Sequence, residues 1–328
     1  MADRYYLKIL TKGVHRWNTW RANHPNTRPN FVQVYLCGLD LDGVDFSESN
    51  FSEADLTHTI LTRANLRQAS LKGADLSSAD LRQANFVVAQ LNGAKLQQTD
   101  LRGADFYGAS LSGANLNSAD LRGAQLKEAD LSNVSLRQAN LQGVDFSRTA
   151  LWGADLSEAH LEQANLKGVN LQGATLVGAL LAGAHLAGAN LNRADFRHAC
   201  LSGADLSRAT LRGANLGEAL LKEANLSGAD LRWAELIKVV LHASNLRGAD
   251  LKGAILDKAD LSASDLNNAD FSMASLKGAD FYLASLDGAI LRGADLRGAN
   301  FSGANLTRTD LVGADLCGIN LTGALWER

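Results

Sequence analysis

The chain has 328 residues, 46% hydrophobic, 20% charged and only 6% aromatic, a balance that excludes a disordered or collagen-like chain. A formal charge of −3 and a pI near 6.2 give no global reason to bind nucleic acid or an anionic membrane. No apolar run reaches the ~18 residues of a membrane span. The start, Met1–Lys8, lacks the apolar stretch and cleavage site of a signal peptide. Three widely separated cysteines fit a reducing compartment, so a cytoplasmic location is expected.

In chain order, residues 1–30 stand apart. They carry one acid, Asp3, against six bases, Arg4, Lys8, Lys12, Arg16, Arg21 and Arg28, which makes the segment +5 and the remainder −8. Leu7, Leu10, Val14 and Trp17 follow helical spacing and predict one amphipathic helix from about residue 4 to 22. An entry loop with Pro25 and Pro29 follows. The segment is expected to cap the first turn of what comes next; a basic amphipathic helix can also bind a membrane surface or a partner.

From Phe31 to Leu321, every fifth residue is Leu or Phe, 59 positions without a slip. Two residues before each centre stands mostly Ala, one before often Asp or Asn, and 28 of the 30 glycines lie two after it; Gly13 and Gly217 are the exceptions. A helix would scatter these centres around its circumference. A flat strand would alternate them between faces. A three-residue extended piece followed by a two-residue corner turns every centre inward, with Ala inward beside it and Asp or Asn outward. Glycine suits the second corner residue. Such a chain winds into a solenoid whose turns pair as parallel strands.

Runs such as Ala104-Asp105-Phe106-Tyr107-Gly108 and Ala294-Asp295-Leu296-Arg297-Gly298 resemble the pentapeptide-repeat family over about residues 31–325. The resemblance implies an all-β fold, a right-handed quadrilateral parallel β-helix with 20 residues per coil. Fifty-nine repeats then give about 15 coils and a length of about 70 Å at ~4.8 Å per strand. The expected organisation is a helical cap and entry loop, 1–30, and one β-helix, 31–328. The run Gly13-Val14-His15-Arg16-Trp17-Asn18-Thr19-Trp20-Arg21 is similar to the leader of some cyanobacterial pentapeptide-repeat proteins. At the far end, Trp326 falls on the next centre and is expected to lid the last coil, with Trp326–Arg328 as the terminal cap.

No chemistry is evident. None of His15, His24, His58, His160, His185, His198 and His242 lies one coil from another, so no stacked pair begins a metal site. Asp80, Asp100 and Asp120 recur with Arg82, Arg102 and Arg122 and read as a neutralised surface ladder. No cofactor or metal is expected, and the chain is not expected to be an enzyme. The clearest break in the surface pattern is apolar. Leu180, Cys200, Leu220 and Val240 occupy the normally polar position before the centre at intervals of 20, with Val177 and Ile237 at the neighbouring corner. These six residues are the candidate partner-binding strip.

The expected function is therefore a non-enzymatic scaffold for a protein partner, without direct nucleic-acid binding. Open strand edges at the ends invite end-to-end self-association. The alternative is mimicry of duplex DNA, because the resemblance includes members that modulate DNA gyrase. Here 26 bases are interleaved among 34 acids in the repeat, which dilutes the negative surface mimicry needs.

Overall fold

A computed structural model describes residues 3–326. The chain divides into two compact units, residues 1–160 and 161–328, each taken by itself.

The first unit opens with two helices where the sequence predicts one, α1 (Arg4–Leu10) and α2 (Val14–Asn23). The helical spacing of Leu10 and Val14 continues across the join, but Gly13 between them takes φ of 99°, outside any helix. Asp3 starts α1 by accepting the Tyr5 N–H at 2.8 Å. Trp17 is fully buried, 5.5 Å from the ring of Phe31 and 5.7 Å from Phe46. Three residues of the leader pin α2 to the first coil. Trp17 Nε1 donates to the Asp45 carbonyl at 2.7 Å. Asn18 donates to the Gly43 carbonyl and accepts the Asp45 N–H, both at 2.9 Å, as a neighbouring strand would. The buried Arg21 donates to the carbonyls of Thr27 and Ser47 at 2.7 and 2.8 Å. The strand edge that a solenoid would leave open is thus paired by a side chain.

Beyond the helices the first unit is a ladder of parallel bridges, each joining residue i to i+20, from Asn30–Asn50 to Asn140–His160. The second unit repeats the pattern from Asn165–His185 to Asn305–Leu325. One bridge per pentapeptide and a register of twenty give four faces per coil.

Five residues close this structure because each finds a partner for its N–H. In Ala204-Asp205-Leu206-Ser207-Arg208, Asp205 donates back to Ala184 at 2.9 Å, and Leu206 and Arg208 donate forward to Asn225 and Ser227 at 2.7 and 2.9 Å. Ala204 closes the preceding corner onto Leu201 at 3.0 Å. The fifth N–H, on Ser207, is taken by the Asp205 side chain at 3.0 Å. The Asp or Asn before each centre is therefore more than a solvated outward residue. It caps the corner, as Asn85 does for Val87 at 3.0 Å in the first unit.

The second corner residue has positive φ at all 59 positions, 28 of them glycine and 31 not. Left-handed backbone costs a non-glycine residue ~1 kcal/mol or more. The inter-coil bonds hold it there regardless. The centres fill the interior, and every one from Phe31 to Leu306 is buried. Aromatic centres stack face to face at the coil spacing, Phe86 on Phe106 at 4.7 Å and Phe281 on Phe301 at 4.5 Å. Leu311, Leu316 and Leu321 are only half-buried, and Trp326 is 43% exposed, so Trp326 does not seal the last coil. The expected cap residues Glu327 and Arg328 lie outside the described residues.

Charged side chains stack outside. Arg82 donates to Asp80 from Nε and Nη2 at 2.8 and 2.6 Å, and its Nε also stands 3.7 Å from Asp100. Arg102 and Asp100 repeat this against Asp120. The hydrogen bonds from Arg82 and Arg102 hold the carboxyls of Asp80 and Asp100 below their ordinary value, against partial burial.

The corners and the ladder can each be tested. Gly203 has φ of +66° and nothing within 4 Å of the point where a Cβ would stand, so Gly203→Ala should cost only the backbone strain, ~1 kcal/mol in urea unfolding. At Gly253, also at positive φ, a Cβ would overlap the Trp233 ring. Gly253→Ala should therefore cost more than Gly203→Ala and shift the tryptophan emission; equal costs would contradict the packing. The ladder should respond to pH. A carboxylate with a depressed folded pKa stabilises above its unfolded value near ~3.9 and loses that contribution as pH falls through the folded value. The ladder's contribution to melting should be steady above about pH 5 and decline below about pH 4. Asp100→Asn keeps an oxygen for the corner but loses the charge, so the difference in melting between pH 7 and pH 3 should shrink.

Candidate partner-binding face

The six strip residues all lie in the second unit. Parallel bridges join Leu180 to Cys200, Cys200 to Leu220 and Leu220 to Val240, so these four stack on successive coils. Leu220 is 45% exposed, while Leu180, Cys200 and Val240 are half-buried by their neighbours in the row. The row ends at Asp260, the bridge partner of Val240. Val177 and Ile237 lie on the adjoining corner but are not brought together. Arg197 and Gly217 occupy that corner on the two intervening coils, leaving Ile237, 41% exposed, as the apolar corner nearest Leu220 and Val240.

The row lacks something its neighbours have. Where the residue before the centre is Asp or Asn, its oxygen caps the following corner, as at Asp195–Arg197 (3.1 Å), Asn225–Ser227 (3.1 Å) and Asp260–Ser262 (3.0 Å). Leucine, cysteine and valine offer no such oxygen, so the corners at Ala182, Ser202, Lys222 and His242 go without that bond on four consecutive coils. A hydrogen bond of this kind contributes about 0.5–1.5 kcal/mol. Isolated exceptions such as Ile60, Ile255 and Ile290 are each flanked by polar residues on both adjoining coils. In the strip four such apolar residues follow one another in register.

Beside the strip is a shallow cavity of about 210 Å³, lined by Arg197, His198, Asn215, Gly217, Glu218, Glu235 and Ile237. Its floor is Gly217, which lacks a side chain at the outward corner position where adjacent coils carry Arg197 and Ile237. The off-register glycine is visible in the sequence, but its consequence depends on which residues stack above and below it. Glu235 is not legible as a site residue at all, because it occupies a position that is polar on most coils.

Other chemistry is sparse. Among the described residues, no group of three or more His, Cys, Asp or Glu is placed to hold a metal ion. Cys37 and Cys317 are exposed and Cys200 is half-buried; all three are free thiols. Among the described residues, no helix is long and apolar enough to cross a membrane.

Comparison with known proteins bears on the repeat. Eight segments match the pentapeptide repeats family, at residues 30–68, 49–87, 84–123, 164–203, 176–213, 204–242, 244–282 and 284–323. Residues 104–176 match a pentapeptide repeat region. Comparison with curated proteins returns no match. Among solved structures, the chain is similar to the pentapeptide repeat protein Rfr23 from the cyanobacterium Cyanothece 51142, at 36% identity over 28% of this chain, with a TM-score of 0.28. The match spans 64% of the length of Rfr23. It is similar to HetL, a pentapeptide repeat protein involved in heterocyst differentiation regulation in Nostoc sp. PCC 7120, at 26% identity over 93% of this chain and 94% of HetL, with a TM-score of 0.25. It also resembles QnrB1, a plasmid-mediated fluoroquinolone resistance protein, at 22% identity over 59% of this chain and 94% of QnrB1, with a TM-score of 0.32. The unbroken five-residue period, the twenty-residue register of the bridges and the matched segments together place the chain in the pentapeptide-repeat family.

Proposed function

We propose that this protein is a non-enzymatic scaffold that holds a protein partner against the strip of Val177, Leu180, Cys200, Leu220, Ile237 and Val240. One observation carries the reading: four consecutive coils replace a corner-capping Asp or Asn with an apolar side chain in register. Each replacement gives up a local hydrogen bond and leaves carbon partly exposed to water, which stacking within the row only half covers. A partner's apolar surface would recover that cost by removing the strip from water. Aliphatic rows of this kind form the dry centre of an interface, and the surrounding Lys222, Lys238, Glu218 and Asp260 supply a polar rim.

Charge argues against the DNA-mimic alternative. The carboxylates of the second unit alternate with bases: Asp230 and Asp250 share Arg232, Asp250 and Asp270 share Lys252, and Asp295 and Asp315 share Arg297. A surface built of such pairs presents no continuous negative track.

The test separates the strip's packing from its use. Leu220→Asn supplies the missing oxygen to the Lys222 corner. Melting should stay within about 2 °C of wild type or rise. Retention of whatever protein the wild type holds from its native lysate should fall at least about tenfold, as expected when an interface anchor is lost. A drop of several degrees with unchanged retention would mean that Leu220 serves only the stack.

A further inference from the structure

Resting on the strip reading, we infer that the cavity over Gly217 is the strip's specificity pocket, and that it receives an arginine side chain of the partner. The pocket is already organised around one carboxylate. The Gly217 N–H donates to Asn215 Oδ1 at 2.9 Å, and Asn215 Nδ2 donates to Glu235 Oε2 at 2.8 Å. Backbone, amide and carboxylate are thus held in one chain of hydrogen bonds, leaving Glu235 Oε1 for a ligand.

The cavity's other charged groups are committed. Arg197 grips Asp195 through Nε and Nη2 at 2.9 and 2.7 Å. Glu218 takes Lys238 at 2.9 Å, with His198 at 3.5 Å. Of the two carboxylates lining the cavity, Glu235 is the one with no ion pair within 4 Å among the described residues, although the Arg197 guanidinium across the same cavity feels its charge. Removing the side chain at position 217 opens the approach to it, and Ile237 forms the apolar wall that leads there from Leu220 and Val240.

A cationic head with an aliphatic stem matches this lining. The stem lies along Ile237, continuous with the strip, and the head reaches Glu235. Arginine fits better than lysine, because its planar fork can donate to Oε1 and to the remaining lone pair of Oε2, which already accepts from Asn215, whereas an ammonium is a more strongly hydrated point charge. Gly217 itself is not at positive φ, so its backbone does not demand glycine. A Cβ there would stand 3.2 Å from Asn215 Oδ1 and 3.8 Å from Arg197 Cγ, narrowing the opening.

The probe is n-propylguanidinium, titrated at constant ionic strength into the full-length protein labelled with ¹⁵N-glycine. The Gly217 amide is assigned from the signal lost in Gly217→Ala. A saturable shift of that amide in the millimolar range is expected, at least about fivefold weaker in Glu235→Gln, and absent with the neutral isostere n-propylurea. Circular dichroism of Glu235→Gln confirms that the fold is kept. A linear, non-saturating shift, or the same affinity in Glu235→Gln, would overturn the pocket. No partner enters this titration, so its failure removes the pocket alone, whereas unchanged partner retention by Leu220→Asn removes the strip.

Discussion

Everything in this molecule depends on finding a partner for every N–H within five residues. Three are satisfied by neighbouring coils, one by the turn, and one by a side chain. That arithmetic, at the observed register of twenty, holds the second corner residue in left-handed backbone even where it is Trp233, Leu283 or Arg308. It also separates the duties of each position. The centre and the small residue two before it make the core, the residue just before the centre caps the corner, and only the corner side chains are free to vary. A surface feature that repeats every twenty residues is therefore a stacked feature, and one that gives up a cap carries a stability cost of known origin.

Much of this is readable in the sequence, because the period is unbroken. The burial of every centre from Phe31 to Leu306 follows directly from the five-residue spacing, and the corners follow from the glycines. The left-handed state of residues such as Gln83 and Glu128 is not legible, since nothing local favours it; only the inter-coil bonds impose it. Nor is the capping role of Asp and Asn, which on a pleated strand reads as simple exposure. The leader reads as one helix rather than two because Leu10 and Val14 are four apart, so the pattern runs on across the turn. Gly13 is the signal of the break. Trp17, Asn18 and Arg21 have individual tasks on the first coil that spacing alone does not assign.

The candidate face divides in the same way. The row from Leu180 to Val240 can be placed from numbering, since positions twenty apart stack. The separation of Val177 from Ile237 emerges only when the corner between them is seen to hold Arg197 and Gly217. The environment of Glu235 depends on three hydrogen-bonded coils and on which neighbours already have ion pairs. Fold here is a property of the period, whereas the site is a property of departures from it.

The central claim is that position modulo twenty decides which side chains share a face, and that the apolar row functions because it is aligned. Inserting a single pentapeptide, Ala-Asn-Leu-Ser-Gly, between Gly213 and Ala214 tests it most directly. The insertion preserves the five-residue core but moves Leu220 and Val240 one face away from Leu180 and Cys200. The predicted result is a far-UV spectrum and cooperative melt close to wild type, with partner retention lost. An unfolded chain would contradict the account of the fold, and retained partner would contradict the aligned strip.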